Sequence, residues 1–215
     1  ADDGICCIRC WSETRVFDGS EMLCDKCGAF FGDTAAPVAL FCHKCDDHFY
    51  DKAAAVGVYE KAVAATVLNL KKQPVLPKRL RPLITMAIRR NGFSNADVII
   101  PIPLSKQRRL ERGFNQAEVI ANEFSRATGI PIDTHSLTRR LHTPTHRVGM
   151  DKRARELTVQ NAFEVFRPKL IAGKRVLLVD DVFTSGATAS YCAKALKKNG
   201  AVEVKVFTLA RAVMS

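Results

Sequence analysis

The string "RVLLVDDVFTSGATAS" (175–190) carries the residues best suited to chemistry. An apolar run ends in two adjacent carboxylates, Asp180 and Asp181, and two residues later comes Thr184-Ser185-Gly186-Ala187-Thr188. Hydroxyls, backbone N–H groups and a following helix start make such a loop a place for an anion. Gly186 lets the backbone come close to it. Two acids beside an anion cradle repel a ligand unless hydroxyl groups separate the phosphate from the acids. A ribose 5-phosphate meets that condition: its phosphate enters the loop and its 2- and 3-hydroxyls donate to the aspartates. Other phosphate sites fail on residues, because no lysine follows Gly186 as a P-loop requires and no G-x-G-x-x-G is present. The tendency of helices to start on Ser or Thr explains one hydroxyl, not the whole string.

A second chemistry lies at the other end of the chain. Cys7/Cys10, Cys24/Cys27 and Cys42/Cys45 are three Cys-x-x-Cys pairs, with 13 and 14 residues between successive pairs. A turn holding two thiolates presents both sulfurs to one ion, and two such turns supply the four soft ligands of a tetrahedral zinc site. The segment has few large apolar residues, so a metal would supply order that a core cannot. Four thiolates leave no open coordination position, which makes the site structural rather than catalytic. Cys24, Cys27, Cys42 and Cys45 are the first choice of ligands, with Cys7 and Cys10 as the alternate pair or part of an incomplete second site. His43 and His48 are possible substitutes weighed against solvent-facing histidines. Cys6 is expected to be unliganded, and Cys192, on a helical face with Leu196, to be core.

These residues need elements to hold them. The chain of 215 residues is 47% hydrophobic and 26% charged, which fits a soluble globular protein of one ordinary domain with a small appendage. No run approaches the roughly 18 apolar residues of a membrane helix. The opening "ADDGICC" has no apolar signal-like stretch, so a cytoplasmic protein is expected. Net charge is +11, which suits polyanionic partners; the dense runs "SKQRRLER" (105–112) and "TRRLHTPTHRVGMDKRARE" (138–156) read equally well as a solvated basic face, and their position relative to the acidic loop must decide. From residue 53 the pattern alternates. Strands are expected at 53–59, 97–103, 175–181 and 202–210, and helices at 60–72, 78–90, 115–128 and 187–200. Apolar strands alternating with helices imply a mostly parallel sheet covered on both faces.

"VLLVDDVFTSGAT" resembles the phosphoribosyl-diphosphate signature of type I phosphoribosyltransferases. "IPIPLSKQRRLERGFNQAEVIA" and "AAAVGVYEKAVAATVLNLKK" are similar to blocks of the ComF/GntX branch, as is the Cys-x-x-Cys start. The resemblance implies a Rossmann-like α/β phosphoribosyltransferase domain at 53–215 behind a small zinc-ribbon or knuckle domain at 1–52. It implies that Thr184, Ser185, Gly186, Ala187 and Thr188 hold the sugar phosphate and that Asp180 and Asp181 hold the ribose hydroxyls. Pro103, Leu104 and Ser105 would form the pyrophosphate loop, with Arg108 and Arg112 neutralising the diphosphate and Mg²⁺ bridging its oxygens. Segment 138–156 falls where the family carries a flap whose closure excludes water. Here it departs from the pattern, reading Thr143-Pro144-Thr145-His146 where relatives have Thr-x-x-Gln, and Thr158 where they carry Asn. His142 and His146 are general-base candidates weighed against surface histidines. The implied activity is Mg²⁺-dependent recognition or transfer of a phosphoribosyl group, linked to DNA uptake in natural competence. The alternative is a non-catalytic module that handles single-stranded DNA or senses a ligand in the same pocket.

Overall fold

The computed structural model describes residues 5–33, 39–140 and 162–213. The cysteine-rich start is made of short pieces: helix α1 (Ile8–Ser12), a ribbon of β1 (Met22–Leu23) and β2 (Phe30–Gly32), and a 3₁₀ turn at His43–Cys45. Then follow β3 (Lys52–Val58), α2 (Lys61–Leu70), α3 (Leu80–Asn91), β4 (Val98–Pro101), α4 (Lys106–Arg112) and α5 (Gln116–Thr128). The chain continues through β5 (Leu137–Arg139), β6 (Phe163–Val165), α6 (Pro168–Ile171), β7 (Arg175–Phe183), α7 (Ala187–Lys198) and β8 (Glu203–Arg211).

Four strands form the central sheet in the order β3-β8-β7-β4, each neighbouring pair parallel. β7 reads as an unbroken apolar run because it is central and covered twice. Its side chains alternate. Leu177 and Val179 join Val67, Ile84, Ile120 and Phe124 of the α2–α3–α5 layer, whereas Val176 and Leu178 join Cys192, Ala193 and Leu196 of α7. In the first layer Phe93, Phe124 and Phe207 meet with ring centroids 5.3–6.3 Å apart. Truncating Phe124 to alanine would cost about 3–5 kcal/mol by opening this cluster.

β3 would be an exposed edge, but the cysteine-rich segment covers it. The N–H of Phe17 donates to the Val56 carbonyl at 2.8 Å, and that of Val58 to the Arg15 carbonyl at 2.9 Å. A Cβ on Gly57 would strike the Arg15 carbonyl oxygen, so the absence of a side chain permits this pairing. Among the described residues, no helix is long and apolar enough to cross a membrane.

The topology locates a crevice. The chain leaves β4 toward α5 on one face and leaves β7 toward α7 on the other. Two adjacent parallel strands whose connections diverge in this way leave a gap beyond their carboxyl ends, where ligands bind in open α/β sheets.

Candidate functional site

One wall of the crevice is the β7–α7 turn. Gly186, at φ 81°, is the residue before α7 and occupies the left-handed region that glycine tolerates. The turn exposes Thr184 and Ser185 beside the unpaired N–H groups of the first helical turn. The Ala187 N–H reaches the Ser185 hydroxyl only weakly, at 3.4 Å. Asp180, Thr184, Gly186, Thr188 and Thr208 line a small pocket of ≈ 40 Å³ under the turn.

Asp180 lies on the α7 side of the sheet, lining that pocket, and the Asp181 side chain is close enough to interact with it directly. The Asp181 N–H donates to Asp180 Oδ1 at 2.9 Å. Loss of hydration, and then repulsion from Asp181, hold the Asp180 carboxyl well above the usual range, with Arg139 pulling the other way. Burial beside a second acid favours the protonated form of this carboxyl, and hydrogen-bond donors or a cation brought against it would favour the ionised form.

The other wall follows β4. The Ile102 N–H donates to the Val179 carbonyl at 2.8 Å, which sets the Pro103-Leu104-Ser105 turn beside Asp180. Buried Asn115 fixes this turn from behind: its Nδ2 donates to the Ile102 carbonyl at 3.0 Å while its Oδ1 accepts from the Ala117 N–H. Ser105 caps α4, accepting from the Arg108 N–H at 3.4 Å. Beyond the turn opens a cleft of ≈ 360 Å³ lined by Pro103, Leu104, Lys106, Arg109, Thr138 and Arg139 among others. Its cations are Lys106, Arg109 and Arg139; Arg108 and Arg112 are not among its lining residues. Lys106 and Arg109 share one face of α4 at a spacing of three, and Arg108 and Arg112 share another at a spacing of four. Glu118 holds Arg109 in place with an ion pair at 2.5 Å. Arg139 belongs to the basic run read as flap, yet it sits on β5, over the Phe163 ring.

The cysteines divide clearly. The sulfurs of Cys24, Cys27, Cys42 and Cys45 all lie within 4.8 Å of one another. Individual separations are 3.7 Å (Cys24–Cys45), 3.4 Å (Cys27–Cys42) and 3.5 Å (Cys42–Cys45). Zinc–sulfur bonds of about 2.3 Å in a tetrahedron put sulfurs about 3.8 Å apart, so these four fit one such ion. Cys7, the residue before α1, and Cys10, within it, face each other at 3.5 Å, outside this group. Cys6 contacts the Ala62 carbonyl, and Cys192 is fully buried in the core. His43 faces solvent beside Asp46. His48 does not: burial, reinforced by Lys26 and Arg211, lowers its pKa, and its Nδ1 lies 2.6 Å from the Tyr50 hydroxyl.

Most of the flap segment, including His142, Thr143 and His146, lies outside the described residues, as does Thr158. No motif marks Arg139, which lines the cleft, or Arg211, which packs on Phe183 beside the turn; they arrive through strand pairing, Arg211 opposite Phe183 and Arg139 opposite Phe163.

Comparisons with known proteins bear on the family. A family model described as "Phosphoribosyl transferase domain" matches residues 84–213. Competence protein F of Haemophilus influenzae is 33% identical over 164 residues, covering 73% of this chain and 71% of that protein. The DNA utilization protein YhgH of Salmonella typhimurium is 33% identical over 69% of this chain, which spans only 60% of that relative's length. Its namesake in Shigella flexneri is 29% identical over 214 residues, 97% of this chain and 90% of the relative.

Proposed function

The chain belongs to the phosphoribosyl transferase domain family, in its ComF branch, and on that footing we propose that it binds phosphoribosyl diphosphate in the β4–β7 crevice. The observation that carries the reading is the turn at the start of α7, with its N–H groups and hydroxyls, set beside two carboxylates at a topological switch point. Thr184, Ser185, Gly186, Ala187 and Thr188 hold the 5-phosphate. Asp180 and Asp181 accept from the ribose hydroxyls. The Pro103–Ser105 turn faces the diphosphate, with Lys106, Arg109 and Arg139 as the cations nearest that space and Arg108 and Arg112 behind them. Mg²⁺, when bound with the diphosphate, would supply charge neutralisation on its oxygens.

An enzyme is the reading favoured for this site. Transfer would break the bond from ribose C1 to pyrophosphate, which leaves with the electron pair, while an acceptor nucleophile forms the new bond at C1. The chain's own part is positioning and electrostatic stabilisation. The four-cysteine cluster is read as a structural zinc site, because its thiolate set is complete without an open position. These units correspond to residues 1–52 and 53–215, and the protein acts in the cytoplasm.

A second reading is favoured by charge. A groove of ≈ 650 Å³ on the α7 side is lined by Arg140, Lys194 and Lys198 beside Tyr191 and Phe163, suited to a single-stranded nucleic acid. The relatives' names, Competence protein F and DNA utilization protein, point the same way. Titration calorimetry with phosphoribosyl diphosphate and Mg²⁺ tests the first reading: the parent binds, and Asp180→Asn/Asp181→Asn loses affinity tenfold or more. Equal binding by both sinks it. Single-stranded DNA titrated at two salt concentrations tests the second, where binding indifferent to salt removes the electrostatic basis.

A further inference from the structure

We infer that Arg211, Tyr50 and His48 are positioning residues that tie the four-cysteine cluster to the 184–188 turn, so that metal on the cysteines and phosphate on the turn favour each other's binding. The inference rests on the phosphate reading of that turn.

Three contacts build the tie. Arg211 Nη2 lies 3.7 Å from Cys27 Sγ, and its guanidinium carbon stands 4.2 Å above the centroid of the Phe183 ring. Its Nη1 is buried and has no hydrogen-bond partner among the described residues. Phe183 in turn braces the glycine of the turn: a Cβ added to Gly186 would come within 2.5 Å of its Cζ. Tyr50, only 1% exposed, meets Phe183 edge-on with centroids 5.8 Å apart. The Tyr50 hydroxyl holds His48, whose Cε1 would lie 3.0 Å from the same added Cβ. The His48 N–H itself donates to the Cys45 carbonyl at 3.1 Å, so this residue hangs directly from the last cysteine. One position further on, the Phe49 N–H donates to Ser190 Oγ at 3.1 Å, fixing the first turn of α7. The backbone that must present N–H groups to a phosphate is therefore held on two sides by groups anchored on the cysteine cluster.

Charge gives the coupling its sign. Four thiolates around one divalent cation carry a net charge of about −2, which would repel a phosphate dianion nearby. Arg211 stands in contact with both the cluster and the ring under the turn, where its cation is attracted to each. Phosphate on the turn and metal on the cysteines both favour the Arg211 and His48 positions seen here, and a shared preferred state makes their affinities rise together. Simple packing of an appendage against a sheet would stabilise the chain without linking the two affinities.

The test uses the full zinc-loaded chain with ribose 5-phosphate as probe. Its Kd is measured by calorimetry for the parent, Arg211→Met, Arg211→Lys, Tyr50→Phe and His48→Ala, with zinc content and circular dichroism checked for each. Zinc release to a chromophoric chelator is timed with and without saturating probe. Saturating probe should slow zinc release from the parent about fivefold or more, the lower end of typical coupling. Arg211→Met should keep its zinc, weaken the probe by a similar factor and abolish its effect on release, with Arg211→Lys recovering part of both. If the parent binds the probe but release is indifferent to it, or zinc-loaded Arg211→Met binds as the parent does, the inference is overturned while the phosphate reading stands. If the parent does not bind the probe at all, both fall.

Discussion

Gly186→Ala separates backbone strain from contact in one measurement. Gly186 sits at φ 81°, and an alanine Cβ there would lie 2.5 and 2.8 Å from Phe183 ring atoms and 3.0 Å from His48. Gly129 is a matched control: its φ is 77°, it closes α5, and a Cβ would meet nothing within 4 Å. Forcing an L residue into the left-handed region costs about 1–2 kcal/mol, offset by about 0.4–1 kcal/mol from the stiffer unfolded chain. Gly129→Ala should therefore lose about 1 kcal/mol. Gly186→Ala carries the same term plus about 1–3 kcal/mol for overpacking against a ring that Tyr50 and Arg211 hold on its other sides. Urea unfolding of both zinc-loaded variants, at equal m-values, should show losses of about 1 and about 2–4 kcal/mol. His48→Ala placed in the Gly186→Ala background should recover part of the difference. Equal losses for the two glycines would refute the reasoning, because Phe183 and His48 would then be yielding freely rather than bracing the turn.

Other expectations follow from charge and from metal. Asp180 has a raised pKa in the folded state, so its contribution to stability is full below its unfolded value of about 4 and declines as pH rises toward the raised one. Asp180→Asn should melt higher than the unliganded parent at neutral pH, by a margin that widens with pH, while binding phosphoribosyl diphosphate less well; a lower melting temperature at pH 8 would contradict this. Asp97 is the opposite case: side-chain hydrogen bonds from Arg175, then its backbone N–H, hold the carboxyl far below the usual range. Its contribution is present at neutral pH and lost below about pH 4, so the deficit of Asp97→Asn should vanish in acid, as melting curves across pH will show. Cys45→Ser should lose the bound zinc and Cys7→Ser should keep it, read as metal per chain by emission spectroscopy; retention by Cys45→Ser would move the site elsewhere.

What one-dimensional patterns carry is local. The run Val176–Val179, the cap Asn115 and the left-handed Gly129 are each decided by near neighbours, and each stands where periodicity and capping place it. Helix α4 was legible only as a basic stretch, because it buries no residue and so has no apolar period to read. The three cysteine pairs have nearly equal spacings, and only the β1–β2 ribbon and the turn at His43–Cys45 bring four sulfurs together while leaving Cys7 and Cys10 at the start of α1. His48 and Arg211 are harder still. Arg211 meets Phe183 through parallel register across 28 positions of sequence, and His48 reaches Gly186 only once the cysteine-rich segment has docked.

The electrostatics of the crevice support the proposed ligand site. A strand end that served stability alone would have little use for Asp180, a carboxyl deprived of hydration by burial, set beside a second acid and given no ion-pair partner at close range among the described residues. The fold does make close carboxylate pairs where charge serves stability, as at Asp97–Arg175 and Glu118–Arg109. Asp180 instead lines the pocket under the turn, its Oδ1 accepting from the Asp181 N–H, with Arg139 felt only as a weaker opposing charge. An unfavourable state of the empty protein that hydroxyl donors would relieve is the arrangement expected where binding energy is drawn on. Stability gained on losing that carboxyl, together with affinity lost, is thus a single expectation, and a variant that lost both would show the acid to be structural.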